Sequence, residues 1–109
     1  MKSRKQRLPN SKPILSETDI KHQVIDYLRA KGIFNFGLLQ GVGSFKGLPD
    51  RVMHYGGKVY YLEIKRPKGI LSDHQREFRD QCARDLIDYV VIRSYDEVMA
   101  FIQCLDDQK

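Results

Sequence analysis

Two adjacent glycines, Gly56-Gly57, divide the runs 51–55 (RVMHY) and 58–65 (KVYYLEIK), and no other feature narrows the folding of this chain so far. Both runs are short and rich in β-branched or aromatic residues, so they read as strands. A two-residue glycine connection suits the mirror-image turn of a hairpin, because both central positions need positive φ. The register follows from the turn. If Tyr55 faces Lys58, Asp50 lies directly opposite Glu63, and directly opposed residues share a sheet face with Cβ atoms about 4.5–5.5 Å apart. Lys65, two positions beyond Glu63, projects from that same face.

Opposed carboxylates repel unless they are protonated, solvated apart or bridged by a cation. A divalent ion resolves the conflict. Two carboxylates with a main-chain carbonyl, available here from Ile64, form the oxygen-rich set that Mg²⁺ or Mn²⁺ prefers. Such an ion polarises a phosphodiester and lowers the pKa of an attacking water. Lys65 is placed to orient that water or to offset charge developing on phosphorus. The hairpin therefore predicts a hydrolytic phosphodiesterase site in Asp50, Glu63 and Lys65. The plain alternatives are a solvated Glu-x-Lys ion pair and an ordinary turn aspartate after Pro49. Against them, Glu63 follows the run Val59-Tyr-Tyr-Leu62 and sits near the end of an apolar strand.

The remaining elements are signalled locally. Ser16, with Glu17 and Asp19 in the first turn and Ile20, Val24, Tyr27 and Leu28 at helical spacing, opens a helix that Gly32 stops. Residues 33–40 (IFNFGLLQ) read as a strand. The glycine-rich loop 41–47 fails the phosphate-loop pattern, because Lys46 precedes the last glycine and no Ser or Thr follows. Ser72 and Gln75 form a capping box for a helix whose apolar stripe is Phe78, Cys82 and Leu86. Residues 89–93 (YVVIR) read as a buried strand, parallel to 58–65 because a helix intervenes. Ser94 with Glu97 caps a last helix that turns Val98, Phe101, Ile102 and Leu105 inward. The order is αβββαβα, an α/β fold with a mixed central sheet flanked by helices.

Charge is distributed unevenly along the 109 residues. Residues 1–13 carry five cations and no anion, so the entire net charge of +5 belongs to what reads as a basic, disordered tail before a single domain at 14–109. Residues 46–68 hold six cations against two anions, whereas 69–109 hold five against nine. One face is therefore basic and suits a phosphate-rich partner. Lys46, Arg51, Arg66 and Lys68 flank the proposed site as candidate phosphate contacts. No apolar run approaches the roughly 18 residues of a membrane span, and the basic N-terminus lacks a signal peptide's apolar stretch. A soluble, cytoplasmic protein is expected. Cys82 and Cys104 read as free thiols, and with His74 they match no zinc spacing. His22, His54 and His74 read as surface or partly packed residues, and Tyr55, Tyr60 and Tyr61 as sheet packing.

The run Lys46-Gly-Leu-Pro-Asp50-Arg51, then Leu62-Glu63-Ile64-Lys65, then Leu71-Ser72 and Gln75, resembles the VRR-NUC (virus-type replication-repair nuclease) branch of the PD-(D/E)xK nucleases. The resemblance covers about residues 16–105. It implies a restriction-endonuclease-like core and dependence on Mg²⁺ or Mn²⁺, held by Asp50, Glu63 and the Ile64 carbonyl, with Lys65 catalytic. It also implies that Glu17, the helix-borne glutamate, contacts the metal directly or through water, and that Gln75 is the second helix's functional glutamine.

The function expected from these readings is a metal-dependent DNA endonuclease selective for branched DNA such as four-way junctions, in a bacterial or phage-infected cell. A homodimer is expected, because symmetric resolution of a junction needs two equivalent cuts and one small domain offers one site. Stand-alone relatives in the resembling family are described as dimers. The competing readings are a nucleic-acid-binding module that keeps the fold without cutting, and a flap or nick nuclease acting as a monomer.

Overall fold

In the computed structural model Gly56 (φ 59°) and Gly57 (φ 80°) make the tight turn that joins β2 (Arg51–Tyr55) to β3 (Lys58–Ile64). The structure describes residues 14–108, and the basic segment 1–13 lies outside the described residues. Tyr55 pairs with Lys58 and Arg51 with Leu62, the register that the glycine pair predicts. On one side of this hairpin, β1 (Asn35–Gly37) runs antiparallel to β2. On the other, β4 (Asp88–Ile92) runs parallel to β3. Among the described residues the sheet is four-stranded, mixed, and ordered β1-β2-β3-β4.

Among the described residues three helices complete the order expected: α1 (Glu17–Ala30), α2 (Asp73–Arg84) and α3 (Tyr95–Asp107). The Ser16 hydroxyl accepts from the Asp19 N–H at 3.0 Å, and the Asp19 carboxylate accepts from the Ser16 N–H at 3.1 Å, a reciprocal cap on α1. Ser72 and Gln75 close the same box on α2. Ser94 caps α3, but Glu97 reaches past it and accepts from the Arg93 N–H at 2.7 Å.

Even-numbered residues of β3 face one way. Tyr60, Leu62 and Ile64 join Met53, Ile92, the α1 residues Ile20, Val24 and Leu28, and the α3 residues Val98 and Ile102 in one buried cluster. Helices α1 and α3 therefore share a sheet face. Helix α2 covers the opposite face, where Phe78 packs edge-on to Tyr61 at 5.1 Å and lies 6.0 Å from Tyr89. Glu63, odd-numbered, belongs to this thinner second layer.

Two sequence expectations are corrected. The strand expected over 33–40 shrinks to three residues. The Leu38 N–H still donates to the Asp50 carbonyl, and at the next ladder position the Gln40 side-chain amide, in place of a main-chain group, donates to the Leu48 carbonyl at 3.2 Å. Leu86, expected on the α2 stripe, lies beyond the helix and is exposed, with φ 59°. Its N–H donates to the Ala83 carbonyl and that of Ile87 to the Cys82 carbonyl, a Schellman closure with leucine where glycine is usual. No helix among the described residues is long and apolar enough to cross a membrane.

Loop 38–50 is pinned onto α2. Gly47 (φ 85°) runs so close to its first turn that a Cβ there would fall 2.2 Å from the His74 carbonyl oxygen. Gly47→Ala combines a left-handed backbone penalty with a collision against main chain, so chemical denaturation should show a loss of about 2 kcal/mol or more. Unchanged stability would show that this loop is free to move off the helix.

Candidate active site

Asp50 sits one residue before β2, where the chain leaves buried Pro49. Its Oδ2 accepts from the Ile64 N–H at 2.7 Å, which ties it across the hairpin to the residue after Glu63. Its Oδ1 accepts from Lys21 Nζ at 3.1 Å. Both bonds are charge-assisted and fix the carboxylate on the side of the sheet that carries Glu63.

Glu63 is 1% exposed. Its Oε2 accepts from Gln75 Nε2 at 3.1 Å and lies 3.8 Å from Lys65 Nζ, while its buried Oε1 has no hydrogen-bond partner. Burial first, then the charge of Asp50 beside it, pushes the Glu63 carboxyl up to about 8. The charge of Glu17 acts in the same direction, and Lys65 opposes them. Lys65 continues β3, its N–H donating to the Ile92 carbonyl at 3.0 Å.

The helix cap orients Gln75. Its Oε1 accepts from the Ser72 N–H at 2.9 Å, which leaves the amide nitrogen to face Glu63. Asp50, Glu63, Lys65 and Gln75 are thus brought together. Glu17, at the start of α1 and partly exposed, is near enough for its charge to act on Glu63.

Of the proposed phosphate contacts, Lys46, Arg66 and Lys68 are exposed. Arg51 is a correction. It is 9% exposed, and its Nε donates to Asn35 Oδ1 at 2.9 Å. It pairs with Leu62 on the α1 face, because neighbouring strand residues point to opposite sides. Two participants are not marked by the sequence motifs. Lys21, one helical turn after Glu17, pairs with Asp50; the i, i+4 spacing on a shared helix face is the available signal. Tyr89 has a buried hydroxyl without a hydrogen-bond partner, and its pKa is raised by burial and by the charge of Glu63; nothing in the run YVVIR marks it.

No group of three His, Cys, Asp or Glu side chains stands assembled for a metal among the described residues. The set that could hold one is Asp50, Glu63 and the Ile64 carbonyl, all hard oxygen donors suited to Mg²⁺ or Mn²⁺. The buried, unpartnered Glu63 Oε1 is the atom that fits a cation best.

A mixed sheet with helices on both faces, bearing an acid–acid–lysine set on its central hairpin, is a nuclease-like fold. Comparison with solved structures finds a chain described as a "VRR_NUC domain", similar with a TM-score of 0.70 at 17% sequence identity, over 82% of this chain and 97% of that one. The protein has that fold, in keeping with the resemblance read from its motifs. No family model and no curated protein matches the sequence.

The Glu63 environment makes stability depend on pH. A carboxyl whose pKa is higher in the folded than in the unfolded chain keeps its proton longer when folded, so its contribution is complete below the ordinary value of 4.5 and is lost as pH rises to about 8. In metal-free buffer the melting temperature should fall across that window, by at most about 1.4 kcal/mol of stability per pH unit. Glu63→Gln, which cannot ionise, should flatten the decline relative to wild type. Parallel profiles for the two proteins would mean that Glu63 titrates normally.

Proposed function

We propose that this protein is a divalent-metal-dependent DNA endonuclease acting preferentially on branched DNA such as four-way junctions. The observation that carries the reading is the buried Glu63, held against Asp50 with one oxygen unpartnered and Lys65 alongside. Binding DNA does not require such an arrangement, since phosphate recognition uses exposed cations. A structural core has no use for a buried acid opposed by a second, part-buried one.

Asp50, Glu63 and the Ile64 carbonyl would hold Mg²⁺ or Mn²⁺, with Glu17 adding negative charge from α1. The ion, when bound, supplies polarisation of the phosphodiester and a lowered pKa for the attacking water. Lys65 orients that water and offsets negative charge on phosphorus as one bridging P–O bond breaks, leaving a phosphate monoester and a hydroxyl. Gln75 keeps the Glu63 carboxylate in its rotamer. Lys21 neutralises Asp50 until a stronger cation arrives. Lys46, Arg66 and Lys68 contact the phosphate backbone.

The deciding experiment is cleavage of linear, flapped and four-way DNA with Mg²⁺ or Mn²⁺. Chelation should abolish cutting and leave the protein folded. Asp50→Asn, relieved of its repulsion with Glu63, should melt no lower than wild type by more than a few degrees. Lys65→Ala should still bind DNA in Ca²⁺, and each variant should lose on the order of a hundredfold or more in rate. Undiminished cutting in excess chelator overturns the site assignment. Tight DNA binding with no cutting under any ion favours the non-catalytic module.

A second expectation concerns assembly. At β1 the rings of Phe34 and Phe36, 61% and 40% exposed, cluster with His54. Exposed aromatic clusters of this kind mark interaction sites. A two-fold dimer would cover this edge and provide the two equivalent cuts a junction requires. Light scattering should therefore report a dimer, Phe36→Glu should shift it toward monomer, and junction preference should fall with it. A monomeric wild type that cuts linear and four-way DNA equally would make a flap or nick nuclease the better reading.

A further inference from the structure

The connections leaving the two parallel strands go to opposite sides of the sheet. From β3 the chain turns to α2 on one face, and from β4 it turns to α3 on the other. Adjacent strands that diverge in this way open a crevice beyond their carboxyl ends, the position where open α/β sheets take ligands. A cavity of about 520 Å³ occupies that place. Its floor is apolar, from Leu15, Ile20 and Pro67, and Arg66, Lys68 and Arg93 supply three cations.

Among the described residues no carboxylate lines the cavity. The Arg93 guanidinium donates to the Gly69 carbonyl and, at 3.1 Å, to the Arg66 carbonyl, so it braces the strap that carries Arg66 and Lys68 and adds its own charge. Those two side chains are exposed and free of any ion pair among the described residues. Asp96 and Glu97 stand in the first turn of α3, so the cations on the strap, rather than the helix terminus, suit an anion. An apolar floor under a cationic rim matches a flat aromatic ring joined to a phosphate. The volume exceeds that of one nucleotide, and Arg66 directly follows Lys65.

We propose that this crevice is a subsite for one unpaired nucleotide of the DNA substrate, its base on the Leu15–Ile20–Pro67 floor and its phosphate against Arg66 and Lys68. The inference rests on the nuclease reading and deepens it. A base within duplex is stacked and paired and cannot enter, so the subsite selects DNA in which a strand is unpaired beside the cut, as at a flap or overhang, or in which a base pair at a branch point has opened.

The test compares a blunt duplex with the same duplex bearing a short single-stranded arm that carries 2-aminopurine, bound to the full chain in chelator so that nothing is cut. Burying a base on an apolar floor, with its phosphate met by cations, should make the armed duplex bind about tenfold tighter. The fluorescence of the unpaired 2-aminopurine should change on binding. Leu15→Gln, which makes the floor polar, and Lys68→Glu, on an exposed side chain that leaves folding undisturbed, should each remove most of that preference. Equal affinity for armed and blunt DNA overturns the proposal. So does fluorescence unchanged on complex formation, which would give the crevice to another occupant such as residues 1–13 or a protein partner. A preference that survives both substitutions places the unpaired strand elsewhere and also overturns it. Cleavage of the armed duplex, the blunt duplex and a four-way junction in Mg²⁺ or Mn²⁺ is scored separately. Cutting without arm preference rejects the subsite alone, and arm preference without cutting rejects the nuclease reading alone.

Discussion

Two acids pressed together inside a small protein are an electrostatic cost, and the surroundings of Asp50 and Glu63 are arranged around meeting it. Without a divalent cation, two separate devices share the task. Lys21 supplies a positive charge to Asp50 at 3.1 Å, and the raised pKa of Glu63 lets a proton neutralise the second carboxyl. Lys65, at 3.8 Å, is too distant for a hydrogen bond and cannot by itself restore Glu63 to an ordinary acid. One buried oxygen is left over. Leaving such an atom unpartnered costs roughly 1–3 kcal/mol, so the folded chain keeps a place in which a ligand gains more than it would on the surface.

That the acids face each other is legible in the sequence, because it depends on a local signal. The positive-φ turn at Gly56-Gly57 determines the pairing of β2 with β3, and pairing determines faces with a period of two. The capping box of α2 is equally legible and places the Gln75 amide against Glu63, a contact that resemblance alone only suggests.

What the sequence leaves hidden depends on neighbours distant in the chain. Residues 38–40 look like strand in composition, whereas past the Leu38–Asp50 bond the Gln40 side chain makes the contact with Leu48 that a continuing ladder would give to main chain. Leu86 fits a helical stripe by spacing, yet it occupies the left-handed position of a cap that normally advertises itself with glycine. Arg51 groups with surface cations by its place beside Asp50, but the same alternation that aligns the two acids turns it to the opposite face, against Asn35. Lys21 is signalled only by its i, i+4 spacing from Glu17, and the crevice at the carboxyl ends of β3 and β4 needs the helix and strand packing itself.

The second layer over Glu63 is thin, and its attachment explains why the site spans so much of the chain. Helix α2 reaches β3 through the side chains of Phe78 and Gln75, and its first turn is steadied from outside the sheet by loop 38–50. Phe45 meets Phe78 at 5.9 Å, and Gly47 lies on the His74 main chain. That same loop ends in Pro49 and Asp50. One irregular segment therefore sets both the position of the first acid and the position of the helix whose glutamine steadies the second. A displacement of the loop would move Asp50 and Gln75 together. The two acids thus depend on two kinds of restraint, a hairpin register that changes only in whole-residue steps and a loop packing that yields continuously. Small changes in the geometry around Glu63 are accordingly expected from the loop side, where a single methyl group at Gly47 has nowhere to go.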